Sequence, residues 1–273
     1  MIVIPHNHNP ALAELTMTAS QDLQLQIEGD IAIVRLNRAA KRNALSDGLV
    51  LAVRHAFENL PSTVRAAVLD GAGEHFCAGL DLSELKERDA GAGLQHSRMW
   101  HAALEEVQYG PVPVVAALHG AVVGGGLELA AACHIRVADA TTFYALPEGT
   151  RGIFVGGGGA VRIPRLIGAA RMADMMLTGR VYQAEEGERA GFAQYLVPAG
   201  QALERALEIA KRVAQNAPLT NYALMHALPR IAEQPADQGF LTEALMSAIA
   251  QSAPEAKQRV RDFLEGRAAK VKA

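Results

Sequence analysis

Two carboxylates and a run of glycines carry most of the chemistry this chain could perform. Gly124, Gly125 and Gly126 lie between a β-branched stretch and the helix-forming LELAAACHI, and Glu128 follows two residues after them. A strand–glycine–helix junction of this kind leaves backbone N–H groups unpaired at the helix start, where they can stabilise negative charge. Its phosphate-cradling version needs Lys and Ser or Thr directly after the last glycine, and Leu127 and Glu128 stand there instead. A dinucleotide fingerprint needs a third glycine at a fixed spacing, which neither this cluster nor Gly156–Gly159 supplies. A serine nucleophile elbow is excluded because no serine lies between Ser97 and Ser247. What remains is an oxyanion hole, a set of donors aimed where negative charge develops. Glu128 in the first helical turn is also what the helix dipole favours without any function. Glu148, in LPEGTRG, is shaped by Pro147 before it and Gly149 after it, so a loop presents its side chain. Most loop carboxylates are merely solvated. Taken alone, these residues suggest proton transfer beside a polarised carbonyl without establishing it.

The elements that must position these groups are legible in the apolar pattern. Residues 23–36 alternate through Leu23, Leu25, Ile27, Ile31 and Ile33 around Glu28, Gly29 and Asp30, the signature of strand, turn, strand. Leu49, Val53, Phe57 and Leu60 predict a helix that Pro61 stops. A short strand over 66–69, a helix over about 95–108, a strand over 112–118, the helix after Gly126 and short strands near 136–138 and 141–144 complete an alternating α/β pattern. Beyond Pro198 and Gly200 the pattern is helical only, beginning with the stripe Leu203, Ala206, Leu207, Ala210 and Val213, which Pro218 breaks. The expected organisation is therefore a flexible extension over 1–20, an α/β core over 21–199 carrying the site, and a helical region over 200–273. Residues 255–273 carry six basic side chains against three acidic ones, which suits a solvated helix face or an anionic ligand group reaching this end.

Composition narrows the function classes. The 273 residues are half apolar, and 26 Lys+Arg against 29 Asp+Glu leave a net charge of −3. A core of useful size is affordable at this length. Neither disorder nor a polyanion-binding surface fits, so no nucleic-acid partner is expected. Cys77 and Cys133 sit in apolar stretches and form no disulfide framework, which points to a reducing, cytoplasmic compartment. The first twenty residues lack Lys and Arg and contain Pro5 and Pro10, so they do not read as a signal peptide; Met17 could serve as the initiator. His6 and His8 have ligand-type side chains but no companions, so no metal site is expected. The uncharged run from Val107 to Leu127 is long enough to span a bilayer, yet its prolines and glycines make it a buried strand and glycine turn. No membrane partner is expected.

Five segments in unbroken order resemble one known family: LNRAAKRNALS (36–46), FCAGLDL (76–82), HGAVVGGGLELAAACHIRVA (119–138), LPEGTRGIFVGGGGAVRIPRLIG (146–168) and ADMMLTGRVYQAEEGERAGF (173–192). They are similar to the crotonase superfamily of enoyl-CoA hydratases and isomerases, from about residue 23 to 267. The resemblance implies a spiral of β-β-α units with a C-terminal helical region that assembles trimers or dimers of trimers. It implies an acyl-CoA substrate, with coenzyme A part of that substrate and no separate cofactor. It places the oxyanion donors on the N–H groups of Ala78 and Gly125, and runs Ala78, Gly79, Leu80 and Asp81 along the CoA moiety with the adenine nearby. Glu128 and Glu148 match the two positions bearing catalytic carboxylates. Keeping both points to hydration of a 2-enoyl thioester, Glu148 exchanging the C2 proton and Glu128 activating water. An isomerase would need one base alone, and a non-catalytic binding protein neither. Trp100 and Met99 fall in the variable region that shapes the acyl pocket. Gly149, Arg151 and Phe154 depart from the family's commonest pattern: Arg151 either points inward, where it would lower the Glu148 carboxyl, or outward to pair on the surface, and Phe154 lines the acyl tunnel or packs.

Overall fold

The computed structural model describes residues 15–84 and 86–267. The alternating segments at the start form β1 (Leu15–Ser20), β2 (Leu23–Glu28) and β3 (Ile31–Leu36), followed by α1 (Asp47–Glu58), β4 (Ala66–Gly71), α2 (Ala90–Tyr109) and β5 (Val114–Leu118). Next come β6 (Ala121–Val123), α3 (Gly125–Ala132), β7 (Ile135–Asp139), β8 (Phe143–Ala145), α4 (Gly159–Ile167), α5 (Ala169–Thr178), β9 (Val181–Gln183), α6 (Ala184–Ala190) and β10 (Tyr195–Val197). From there on the described chain is helical: α7 (Ala202–Ala214), α8 (Pro218–Tyr222), a π-helical turn over Ala223–Ala227, α9 (Leu228–Ile231), α10 (Ala236–Ser252) and α11 (Pro254–Leu264).

Seven strands form one sheet in the order β1-β2-β3-β4-β5-β7-β10, and β6-β8-β9 form a second, smaller sheet. The first three strands pair antiparallel, and from β3 onward the large sheet is parallel. A parallel sheet must be covered on both faces, and the pleat divides its residues accordingly. Ile31, Ala66, Val68, Val115, Ala117 and Val137 meet Ala206, Ile209 and Ala210 of α7. Their sequence neighbours Ala32, Ala67, Leu69, Val114 and Ala116 face the other way, into a core shared with α1, α2 and α3. That second core carries the site.

Two expectations need correction. Residues 15–20 are not part of a flexible extension: β1 pairs antiparallel with β2, Leu15 opposite Ile27, because the outer edge of β2 offers unpaired backbone groups that a neighbouring segment can satisfy. His6 and His8 lie outside the described residues. The helix expected over 95–108 begins earlier, since Asp89 caps α2 by accepting from the Ala92 N–H at 2.7 Å. The uncharged run 107–127 resolves into the end of α2, then β5, β6 and the start of α3. Among the described residues no helix is long and apolar enough to cross a membrane. Both cysteines are buried and free.

Candidate active site

The glycine turn does what its sequence predicts. Gly124 has φ +53°, and α3 begins at Gly125 with every residue buried. Gly125 and Gly126, at the helix start, have no carbonyl four residues back within the helix, so their N–H groups find no intrahelical acceptor. Facing Gly125 is the FCAGLDL turn, and here the structure corrects the sequence. The Ala78 N–H is engaged, donating to the Arg42 carbonyl at 3.0 Å. Two residues on, the Leu80 N–H has no acceptor among the described residues, while its neighbour Asp81 donates to Leu45 O at 2.8 Å. The free donor on this wall is therefore Leu80, and it lines the same cleft as Gly125.

The Arg42 carbonyl reaches Ala78 because Arg42 and Asn43 both take left-handed φ values, 51° and 55°. Such a pair is unfavourable unless the surroundings fix it. Asn43, fully buried, supplies the fixing: its side-chain amide donates to Ala72 O at 2.8 Å and His75 O at 2.7 Å, and its Oδ1 accepts from the Arg38 N–H at 2.9 Å. The Asp81 carboxylate is equally committed. It accepts from the Ser83 hydroxyl at 2.6 Å, Arg38 at 2.9 Å and Lys41 at 3.1 Å, and these donors, Ser83 foremost, hold it well below the usual carboxylate range. It braces the turn from behind.

Both expected carboxylates open on one cleft of about 280 Å³ with Leu80, Gly125 and Trp100. Glu128 is 3% exposed. Its Oε1 accepts from the Gly157 N–H at 2.8 Å and the Gly159 N–H at 2.7 Å. Burial pushes its carboxyl upward, and the Gly159 and Gly157 amides and the Arg162 charge oppose that shift. A Cβ on Gly159 would lie 2.7 Å from Glu128 Cγ, so only glycine permits this grip. Arg162 steadies the glycine loop, donating to Gly157 O at 3.0 Å and to Gln108 Oε1 at 2.7 Å.

Glu148 is not the wet loop carboxylate its setting suggested: it is 9% exposed, and its Oε2 is buried without a hydrogen-bond partner among the described residues. Burial pushes it up to about 6, the nearby Glu128 charge adding to this while its own backbone N–H and Arg151 pull the other way. A Cβ at Gly124 would sit 2.5 Å from Glu148 Oε1, so the glycine that opens the helix also makes room for the second carboxylate. Arg151 is exposed but forms no surface ion pair among the described residues, and its charge still bears on Glu148, so it matches neither expected alternative fully.

Trp100, 4% exposed, stands against Gly125 and Gly157 as a cleft wall, whereas Met99 packs against the core beside it. Phe154 lies at the mouth, 69% exposed, and lines the cleft rather than packing inside. Sequence reasoning missed Asn43, Arg162 and the polar groups of the opposite end. There Asp47 Oδ1 accepts from Trp100 Nε1 at 3.0 Å and approaches His96 Nε2 at 2.7 Å, with Arg88 and Ser97 also lining the cleft. Burial alone would raise the Asp47 carboxyl, but the Trp100 and His96 contacts and the charges of His96 and Arg88 bring it below its ordinary value. No group of three or more His, Cys, Asp or Glu among the described residues could hold a metal ion.

Comparison with known proteins points to one family. The family model described as Enoyl-CoA hydratase/isomerase matches residues 26–273. Enoyl-CoA hydratase EchA19 of Mycobacterium tuberculosis is 30% identical over 258 residues, 93% of this chain and 97% of that protein. A short-chain-enoyl-CoA hydratase of Clostridium acetobutylicum is 30% identical over 89% of this chain and 94% of its own length. Among solved structures, a putative enoyl-CoA hydratase from Rhodopseudomonas palustris superposes with a TM-score of 0.88 at 59% identity, covering 92% of this chain and 97% of that one. The expected spiral α/β architecture is thus the fold.

Proposed function

Because the chain belongs to the enoyl-CoA hydratase/isomerase family, we propose that it adds water across the C2=C3 bond of a 2-enoyl-CoA thioester to give a 3-hydroxyacyl-CoA. The observation that carries this reading is the pair Glu128 and Glu148 on one cleft with the free N–H groups of Leu80 and Gly125. Attack at C3 moves charge onto the thioester oxygen, and two fixed donors stabilise it; each is worth about 2.7–4 kcal/mol in comparable sites. The CoA moiety runs along the Ala78–Asp81 main chain, and the acyl group lies against Trp100 and Phe154.

The two carboxylates divide the proton work through their surroundings. Burial raises both carboxyls, and Glu128 has two main-chain donors on Oε1 that oppose the rise and favour its anion. It takes a proton from the attacking water. Glu148, raised to about 6 and with an unpartnered oxygen, holds the proton that C2 receives. After one turnover Glu128 is protonated and Glu148 ionised, and transfer of that proton from the first to the second restores the starting state. Repulsion between two buried carboxylates favours this one-proton condition throughout. By the same family likeness, copies assemble as trimers or dimers of trimers through the C-terminal helices, which expose Phe240, Leu245, Ile249 and Phe263.

The test is spectroscopic. With crotonyl-CoA or a longer 2-enoyl-CoA, the conjugated-enone absorbance is expected to decay, and Glu148→Gln to abolish the decay while acyl-CoA still binds. Gain of conjugation from a 3-enoyl-CoA with no loss from the 2-enoyl ester would overturn hydration in favour of isomerisation.

A further inference from the structure

An alkyl chain asks only for apolar walls, yet one side of the acyl end of the cleft is polar. Arg88, His96 and Ser97 line it together with Trp100 and Phe154. Arg88 forms no hydrogen bond among the described residues. The carboxylate beside it, Asp47, comes no nearer than 3.8 Å, and three-quarters of the Arg88 side chain is covered. Asp47 is otherwise occupied: its Oδ1 takes both the Trp100 indole N–H and His96 Nε2. With Nε2 held, His96 keeps Nδ1 without a partner among the described residues. The ring is fixed in place, 5.9 Å from the Trp100 ring between centroids. A guanidinium that makes no hydrogen bond and only a 3.8 Å ion pair with Asp47, a positioned imidazole and a hydroxyl therefore line one cleft with Glu128 and Glu148.

We propose that this wall selects acyl groups ending in a carboxylate: the preferred ester is an ω-carboxy-2-enoyl-CoA, its distal carboxylate received by Arg88 with His96 and Ser97 beside it. This rests on the acyl-CoA reading above and extends it to substrate class. Planar guanidinium donors match a carboxylate in geometry as well as charge. Asp47 supports the arrangement by orienting His96 and Trp100. Its Oδ2 faces Arg88 at 3.8 Å, an ion pair beyond hydrogen-bond distance, so the guanidinium keeps its N–H donors for the guest. A methyl-ended chain of the same length would give the guanidinium no partner beyond its 3.8 Å ion pair with Asp47, so it forgoes the charge-assisted hydrogen bonds a carboxylate gains.

Binding and turnover are measured separately so that the two readings fail separately. Calorimetry on the full chain compares adipyl-CoA with hexanoyl-CoA, saturated esters of equal length that cannot be hydrated. The carboxylate ester is expected to bind tighter by about tenfold or more, the usual worth of a hydrogen bond to a charged group. Arg88→Met is expected to erase that difference by weakening adipyl-CoA alone, and Ser97→Ala to narrow it. Equal binding of the two esters, or a preference that Arg88→Met leaves intact, overturns the proposal whatever the turnover result. Kinetics with the matching 2-enoyl esters should show the preference mainly in KM. Failure of both esters to turn over, with the binding preference present, would instead sink hydration and leave the selectivity standing.

Discussion

Glu128 and Glu148 line one cleft and are held in opposite ways. Glu128 rises from the first turn of a fully buried helix, with one oxygen gripped by two main-chain amides from a glycine loop some thirty residues on. Glu148 hangs from a short turn, one oxygen buried and without a partner among the described residues, the other given its room by the missing side chain at Gly124. Burial raises both carboxyls; around Glu128 the Gly159 and Gly157 amides oppose that rise, while Glu148 keeps one oxygen without a partner among the described residues. Two identical side chains thus meet different hydrogen-bonding surroundings within one cleft.

The largest effects should come from isosteric removal of either charge. Glu128→Gln and Glu148→Gln are each expected to lower kcat for hydration by about 10²–10⁴-fold, the usual range for a lost general acid or base. They should part company in a second assay. Exchange of the C2 protons of a bound saturated acyl-CoA with deuterium, followed by mass spectrometry, should survive in Glu128→Gln and vanish in Glu148→Gln. The reverse outcome would interchange the roles.

Next in size are the glycines that admit the two carboxylates. Gly159→Ala places a Cβ against Glu128 Cγ and should displace it; a shift of this kind lowers kcat by about 10²-fold. Gly124→Ala crowds Glu148 at a backbone φ of +53° and is expected to lower stability as well as kcat. Thermal melts and steady-state rates separate these two patterns.

The electrostatic contrast predicts a smaller effect on stability. Folding raises the Glu148 carboxyl from 4.5 to about 6. A carboxyl raised by folding binds its proton more tightly in the native state, so stability is greatest below pH 4.5 and falls as pH climbs through the interval to 6. The loss above that interval is about 2 kcal/mol. Glu148→Gln, having no charge to bury, should therefore melt roughly 5 °C higher than the parent at pH 7 and no higher at pH 4. Melting curves at the two pH values decide it, and a variant destabilised at pH 7 would contradict the claim that burial costs Glu148 its charge. The smallest effect concerns the donors: on binding a saturated acyl-CoA, the amide proton resonances of Leu80 and Gly125 should move, and that of Ala78 should stay.

How much of this was legible depended on distance along the chain. The alternation over 23–36, the helix at Leu49–Phe57 and the glycine turn before Glu128 are local patterns, and the structure contains each of them. Glu128 and Glu148 could be named from type and setting, while their depth could not, because the walls that bury them come from α2 and the 153–157 loop. Gly156–Gly159 was conspicuous in the sequence, but its task of gripping Glu128 is a pairing across about thirty residues that no periodicity announces. The exchange of Leu80 for Ala78 has the same origin. Whether an N–H is free depends on what faces it, and the carbonyl facing Ala78 belongs to a left-handed turn at Arg42 and Asn43 on a different segment. Asn43 itself offered a signal, a polar residue inside KRNALS, without any indication of what it would hold.

In the proposed reaction the donors for the thioester oxygen belong to the main chain, and that has a genetic corollary. Any residue except proline supplies the same N–H, so missense change at position 80 can vary the neighbourhood of the hole yet hardly delete it. Arg88, His96 and Ser97 enjoy no such protection, since one codon replaces each. Diversification of this enzyme should accordingly run through its appetite for acyl tails, with the means of taming the developing negative charge handed down unaltered.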